Sequence, residues 1–164
     1  MSNTASIRIS RPFTDVDKNW LRELWHSEWG GNVMVSKGKV HHLEEVDALI
    51  AWSEDTPVGA ATYHHDVEGC ELLSINALQD GLGIGTALLS AVEKTAREAG
   101  LNRVWLITSN DNLDALRFYQ RRGYRISAVY PGAIDEARKM KPSIPTVGDY
   151  GIPIHDELEL EKWL

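Results

Sequence analysis

Two parts of the chain carry residues that chemistry could use. The first is Gly81-Leu82-Gly83-Ile84-Gly85-Thr86, three glycines at alternate positions leading into the apolar run Ala87-Leu88-Leu89. Glycine leaves no Cβ between backbone and ligand, and a strand-to-helix turn gathers free N–H groups that favour an anion. The same spacing also suits a plain turn. It is not a nucleotide P-loop, which needs a lysine after its last glycine, nor a dinucleotide fingerprint, whose third glycine falls one residue later. The second part is Asn112-Leu113-Asp114-Ala115-Leu116-Arg117-Phe118-Tyr119. Asn112 and Tyr119 stand seven residues apart, about two helical turns, and so share a face. A phenol there can protonate a leaving group, and an amide at the helix start can hold an extended ligand. Taken alone, a tyrosine on a helix is more often a core aromatic with its hydroxyl at the rim, and Tyr119 has that reading too.

Elements must position these residues, and the hydropathy pattern supplies them. Ser6–Ser10 alternates as a short strand. Thr14 and Asp17 form a capping-box pattern ahead of Val16, Trp20, Leu21, Leu24, Trp25 and Trp29, which recur at helical spacing until Gly30-Gly31. Residues 32–45 fit no single element. Ala48–Trp52, Val58–His64 and Cys70–Ile75 read as strands joined by short turns, which favours an antiparallel meander. A helix follows the glycines and closes at Gly100, and Val104–Thr108 is apolar enough for a central strand. Strand, helix and strand in that order imply a right-handed crossover. A second helix opens with an acidic cap at Asp111–Asp114 and closes at Gly123. Arg125–Val129 is a strand. The proline-bearing tail is extended, with a short helix over Asp135–Lys139, and Leu158 and Leu160 mark a last strand.

Composition narrows the function. The chain has 164 residues, enough for one domain over its whole length, and 43% are hydrophobic. A net charge of -7 argues against nucleic acid as the main partner, and no apolar run approaches a membrane span. The single cysteine, Cys70, cannot form an internal disulfide and reads as a buried strand residue. Met1–Arg8 lacks the pattern of a secretory leader, so a cytoplasmic location is expected. No ligand spacing argues for a metal.

Together, Ile75–Leu89 and Asn112–Tyr124 resemble the GNAT superfamily of acyl-coenzyme A-dependent N-acetyltransferases. The resemblance rests on Gln/Arg-x-x-Gly-x-Gly/Ala followed, after one more strand, by Asn-x-x-Ala-x-x-Phe/Leu-Tyr-x-x-x-Gly-Phe/Tyr. The tail from Pro131 to Ile154 is similar to that of a bacterial subgroup with no settled substrate. The resemblance implies an α/β (α+β) fold: a mixed, mostly antiparallel twisted sheet of about six or seven strands flanked by about four helices. It implies direct acetyl transfer from acetyl-CoA to a primary amine of a small molecule or peptide, with no metal and no covalent intermediate. Ile75 and Ala77 would meet the pantetheine arm through their backbone. Gly81, Leu82, Gly83, Gly85 and Thr86 would hold the pyrophosphate. Asn112 would contact the arm, and Tyr119 would sit near the sulfur as the acid. Homodimers are common in the family, but nothing in the sequence selects a dimer surface.

One position departs. Asp80 stands where the family has Gln or Arg, and a carboxylate facing pyrophosphate would be repulsive. Asp80 therefore points outward or interacts with the helix N-terminus, and the cradle rests on backbone donors. This departure is also what a non-catalytic acyl-CoA sensor of the same fold would show. For the base, Glu71 lies four residues before Ile75, so both point to the same face of a strand. It could take the amine's proton directly or through water, or be an exposed or structurally paired residue. His64 and His65 are weaker candidates. Arg117, Arg121 and Arg122 could meet the adenosine phosphate or pair with neighbours such as Asp114. Trp25, Trp29 and Trp52 could wall an acceptor site, Trp25 fitting the core better.

Overall fold

Thr14 starts the first helix as its spacing to Asp17 predicts: its hydroxyl accepts from Asp17 N–H at 3.1 Å, and the Asp17 carboxylate accepts from Thr14 N–H at 3.2 Å. The computed structural model describes residues 6–164. Residues 1–5, part of the segment in which a leader is not expected, lie outside the described residues. The elements run β1 (Ile7–Ser10), α1 (Asp15–Trp29), β2 (Val33–Ser36), β3 (Lys39–His42), β4 (Asp47–Ser53), β5 (Thr56–Asp66), β6 (Gly69–Ala77), α2 (Ile84–Glu98), β7 (Arg103–Ser109), α3 (Leu113–Gln120), β8 (Arg125–Tyr130), α4 (Ala133–Met140) and β9 (Glu157–Trp163). No helix among the described residues is long and apolar enough to cross a membrane.

Seven strands form one mixed sheet in the order β1-β4-β5-β6-β7-β9-β8, and every neighbouring pair is antiparallel except β6 with β7. That parallel pair is the one joined by α2, as a strand–helix–strand run requires. The last strand is not at an edge. β9 inserts between β7 and β8, so the chain's C-terminal segment completes the sheet.

The sheet is covered on both faces. On β4, Leu49 and Ala51 join a core with Leu88, Val92 and Tyr119 on the α2–α3 side, while Ala48 and Ile50 join Leu21, Leu24 and Trp25 of α1. This is the period-two alternation of a strand buried on both faces. Val16 is 76% exposed and does not belong to the α1 stripe.

Two irregularities set the site. β5 and β6 pair Thr62 with Ser74 and Tyr63 with Leu72, leaving Leu73 as an extra residue on β6. β6 and β7 pair only through Cys70–Leu72 and Val104–Leu106. Beyond Leu72 the edge of β6 therefore has no strand partner on the β7 side, and the two strands part. Gly59 lets α2 lie close on the sheet at this point. A Cβ there would meet Asn76 O at 2.6 Å and Ile84 Cγ2 at 2.7 Å. Gly59→Ala should lower unfolding free energy by about 1–3 kcal/mol. The check is a urea midpoint that falls at constant slope.

Candidate active site

The parted strands open onto a cleft of about 530 Å³ bordered by Ile75 and Ala77 of β6, Gly85 of α2, and Asn112, Phe118 and Tyr119 of the α3 region. At one end the glycine turn begins α2. Gly81 (φ +79°) and Gly83 (φ +68°) are in the left-handed region, where a side chain is strained. Gly85 is not. A Cβ on Gly85 would come within 3.2 Å of the Phe118 ring, so this glycine lets α2 and α3 approach. The first intrahelical bond is Ala87 N–H to Gly83 O at 3.0 Å. The N–H groups of Ile84, Gly85 and Thr86 precede it, and no side chain caps them. Free backbone donors at a helix N-terminus are the arrangement that favours an anion. Asp80 is exposed and makes no side-chain bond to this terminus among the described residues, so of its two readings the outward one holds.

Arg122 lies across from the turn. Its Nε and Nη2 donate to Thr86 Oγ1 at 3.0 and 2.8 Å, its Nη1 donates to Phe118 O at 2.8 Å, and its guanidinium stacks 3.8 Å over the Phe118 ring. It is thus fixed beside the turn instead of pairing with Asp114. Arg117 and Asp114 approach only to 3.9 Å, with both side chains largely exposed. Arg117, Arg121 and Arg122 all border the cleft.

Asn112, not an acidic residue, caps α3: its Oδ1 accepts from Ala115 N–H at 3.2 Å. Asp111 is buried instead, and its Oδ2 accepts from Asp149 N–H of the tail at 2.9 Å. Tyr119 is 9% exposed and packs edge-on to Phe118 and Tyr124. Its hydroxyl makes no hydrogen bond among the described residues, and burial pushes its pKa well above the usual phenol value.

A second cavity, of about 190 Å³, lies on the α1 side of the gap, walled by Trp29, Met34, Leu73, Ile107 and Ile134 with Glu157 among them. Asn112 borders both cavities. The segment that fits no element from its sequence, residues 32–45, contributes Met34 and Val35 to this wall. It is the β2–β3 hairpin, turning at Lys37 (φ 53°) and Gly38 (φ 75°), followed by a short 3₁₀ turn.

Under that hairpin sits Glu71. It is 3% exposed, accepts from Ser36 Oγ at 2.6 Å on Oε2, and has His41 Nε2 3.5 Å from Oε1. Burial pushes Glu71 up to about 7 and His41 down to about 4, so both lean to the uncharged state. The side-by-side placement of Glu71 and Ile75 does not hold. Leu73 interrupts the alternation: Glu71 pairs with His64 on the hairpin side, while Ile75 pairs with Ala61 on the α2 side and packs into that core. Glu71 also borders neither cavity.

The family model described as "Acetyltransferase (GNAT) family" matches residues 13–124. The chain is 40% identical over 154 residues to the uncharacterized protein YxbD of Bacillus subtilis (strain 168), covering 93% of this chain and 97% of that one. Among solved structures it is similar to a GNAT family acetyltransferase from Elizabethkingia anophelis with acetyl-CoA bound, at TM-score 0.73 and 19% identity over 96% of this chain and 98% of the other. It is also similar to a Bacillus subtilis acetyltransferase in complex with CoA, at TM-score 0.72 and 20% identity over 97% and 99%. The chain belongs to the GNAT acetyltransferase family. Within this GNAT chain the three tryptophans separate. Trp25 is 1% exposed in the core, and Trp29 borders the α1-side cavity, its Nε1 donating to Asn76 Oδ1 at 3.2 Å. Trp52 borders neither of these two cavities and donates to Ser10 Oγ at 2.8 Å near the β1 edge. Burial pushes the Cys70 thiol up to about 12, which leaves it unreactive. Sequence reasoning missed Glu157, because an isolated glutamate in an alternating strand carries no signal of its partnerless surroundings.

Proposed function

We propose that residues 1–164 form one acyl-CoA N-acyltransferase domain that moves an acetyl group directly from acetyl-CoA to a primary amine. The observation that carries this is the cleft itself: uncapped α2 N–H groups, a partnerless β6 edge and an unbonded Tyr119 hydroxyl all border one space. The residues fit the co-substrate: the α2 terminus and Arg122 for the pyrophosphate, and Ile75, Ala77 and Asn112 for the arm. The thioester supplies the acyl group. The amine nitrogen forms a bond to the carbonyl carbon, the carbon–sulfur bond breaks, and its electron pair leaves on sulfur. Tyr119 protonates that sulfur. Glu71, with a pKa of about 7 and so about half ionised at neutral pH, takes the amine's proton through water, since it borders neither cavity itself.

The experiment is calorimetry with acetyl-CoA together with a thiol-release assay over an amine panel. Binding with no transfer to any amine would favour the sensor reading, and no binding at all would sink both. Gly83→Val, which forces a β-branched residue into the left-handed region, should weaken acetyl-CoA binding by roughly tenfold in the same calorimetry.

A further inference from the structure

The α1-side cavity holds a carboxylate that acetyl transfer as set out above does not use. Glu157 opens β9 and is 2% exposed. Its Oε2 accepts from Lys37 N–H at the hairpin turn, 3.2 Å away, and its Oε1 has no hydrogen-bond partner among the described residues. That oxygen is not sealed in the core, so a partner that arrives through the cavity can reach it. The walls around it are mixed: Trp29, Met34, Leu73, Ile107 and Ile134 are apolar, while Thr108, Ser109 and Asn112 are polar.

We propose that Glu157 holds the ammonium of the acceptor, and that the acceptor is a small primary monoamine with a compact apolar body. This rests on the acetyl-transfer reading. Three features select that class. Among the described residues, Glu157 is the one carboxylate bordering this cavity, which suits a single cationic centre. The other charged group there, Lys141, is turned away, its Nζ donating to Trp29 O and to Val33 O at 2.7 Å, so it does not neutralise Glu157. The space of about 190 Å³ beside Glu157 corresponds to roughly six waters, which suits a compact body. Asn112 borders this cavity as well as the cleft, so an amine held here adjoins the place where the thioester is expected. Burial holds the Glu157 pKa above the usual carboxylate range, and an ammonium supplies the interaction that the ionised form lacks.

The test compares benzylamine, spermidine and an alanine-led tripeptide as acceptors in the intact protein, with acetyl-CoA affinity measured separately by calorimetry. Benzylamine should be the best of the three. Glu157→Gln, which keeps the shape and can still accept from Lys37 N–H, should raise the KM for benzylamine by roughly 10- to 100-fold with acetyl-CoA affinity unchanged. Benzyl alcohol should compete weakly and equally against both forms, since it carries no charge. Ile144→Trp, which fills the cavity from the tail, should abolish benzylamine turnover and leave acetyl-CoA binding intact. An unchanged benzylamine KM in Glu157→Gln overturns the inference. So does a preference for the tripeptide or spermidine, or acetyl-CoA binding with no transfer to benzylamine. Loss of acetyl-CoA binding by the unaltered protein would instead overturn the reading beneath it.

Discussion

Tyr119→Phe should lower kcat for acetyl transfer by roughly a hundredfold and leave acetyl-CoA affinity unchanged. Phenylalanine keeps the edge-on packing against Phe118 and Tyr124, so the loss is confined to one hydroxyl. That hydroxyl has no competing partner among the described residues, and burial keeps it protonated throughout the neutral range. A thiolate forming in the same desolvated cleft also becomes more basic, so it can draw the proton from so weak an acid. The effect should therefore be flat in pH across the neutral range, appearing in kcat and in kcat/KM together. An unchanged kcat would remove the phenol from the reaction and leave Tyr119 as a core aromatic.

Glu71→Gln should lower kcat/KM by about tenfold or more at neutral pH and erase the limb by which the unaltered enzyme gains rate as pH rises through about 7. Stability gives an independent readout. The Glu71 carboxyl is held above its ordinary value of 4.5, so its contribution to folding is complete below that value and is lost as pH rises through about 7. His41 acts in the opposite sense: held neutral by burial, it loses stability as pH falls from 6.5 through about 4. A glutamine at position 71 cannot ionise, can still accept from Ser36, and can donate to His41 Nε2, which is buried without a partner. Above pH 8 the variant should gain roughly 3 kcal/mol over the unaltered protein in urea unfolding. A gain in stability with no change in the pH–rate profile would assign Glu71 to the fold alone.

Much of this was legible in the sequence where a local rule governs. The Thr14–Asp17 capping box, the meander from Asp47 to Ala77 and the crossover into Arg103–Ser109 follow from side-chain types at fixed spacing. The glycines and the Asn112–Tyr119 helix were visible as motifs, although the reason for Gly85 was not: only tertiary packing brings Phe118 against it. The cavity on the α1 side was hardly legible. It depends on a hairpin marked by a Lys-Gly turn instead of Asn-Gly, and on the tail, whose Arg138 donates to Ile144 O, Pro145 O and Ile154 O. Such long-range bonds leave no periodic trace. The location of β9 between β7 and β8 was likewise invisible, because order within a sheet is not a property of any single strand.

The extra residue in β6 makes the site sensitive to chain length in a way it is not to composition. Substituting Leu73 changes one side chain. Deleting it would leave Ser74–Ala77 on the same faces against β5 but close the bulge, and with it the local bend where β6 parts from β7. Single-codon gaps at this point should therefore be far rarer among functional variants than point changes there. The bend that one extra residue puts into β6, more than the identity of its side chain, keeps the gap between β6 and β7 open.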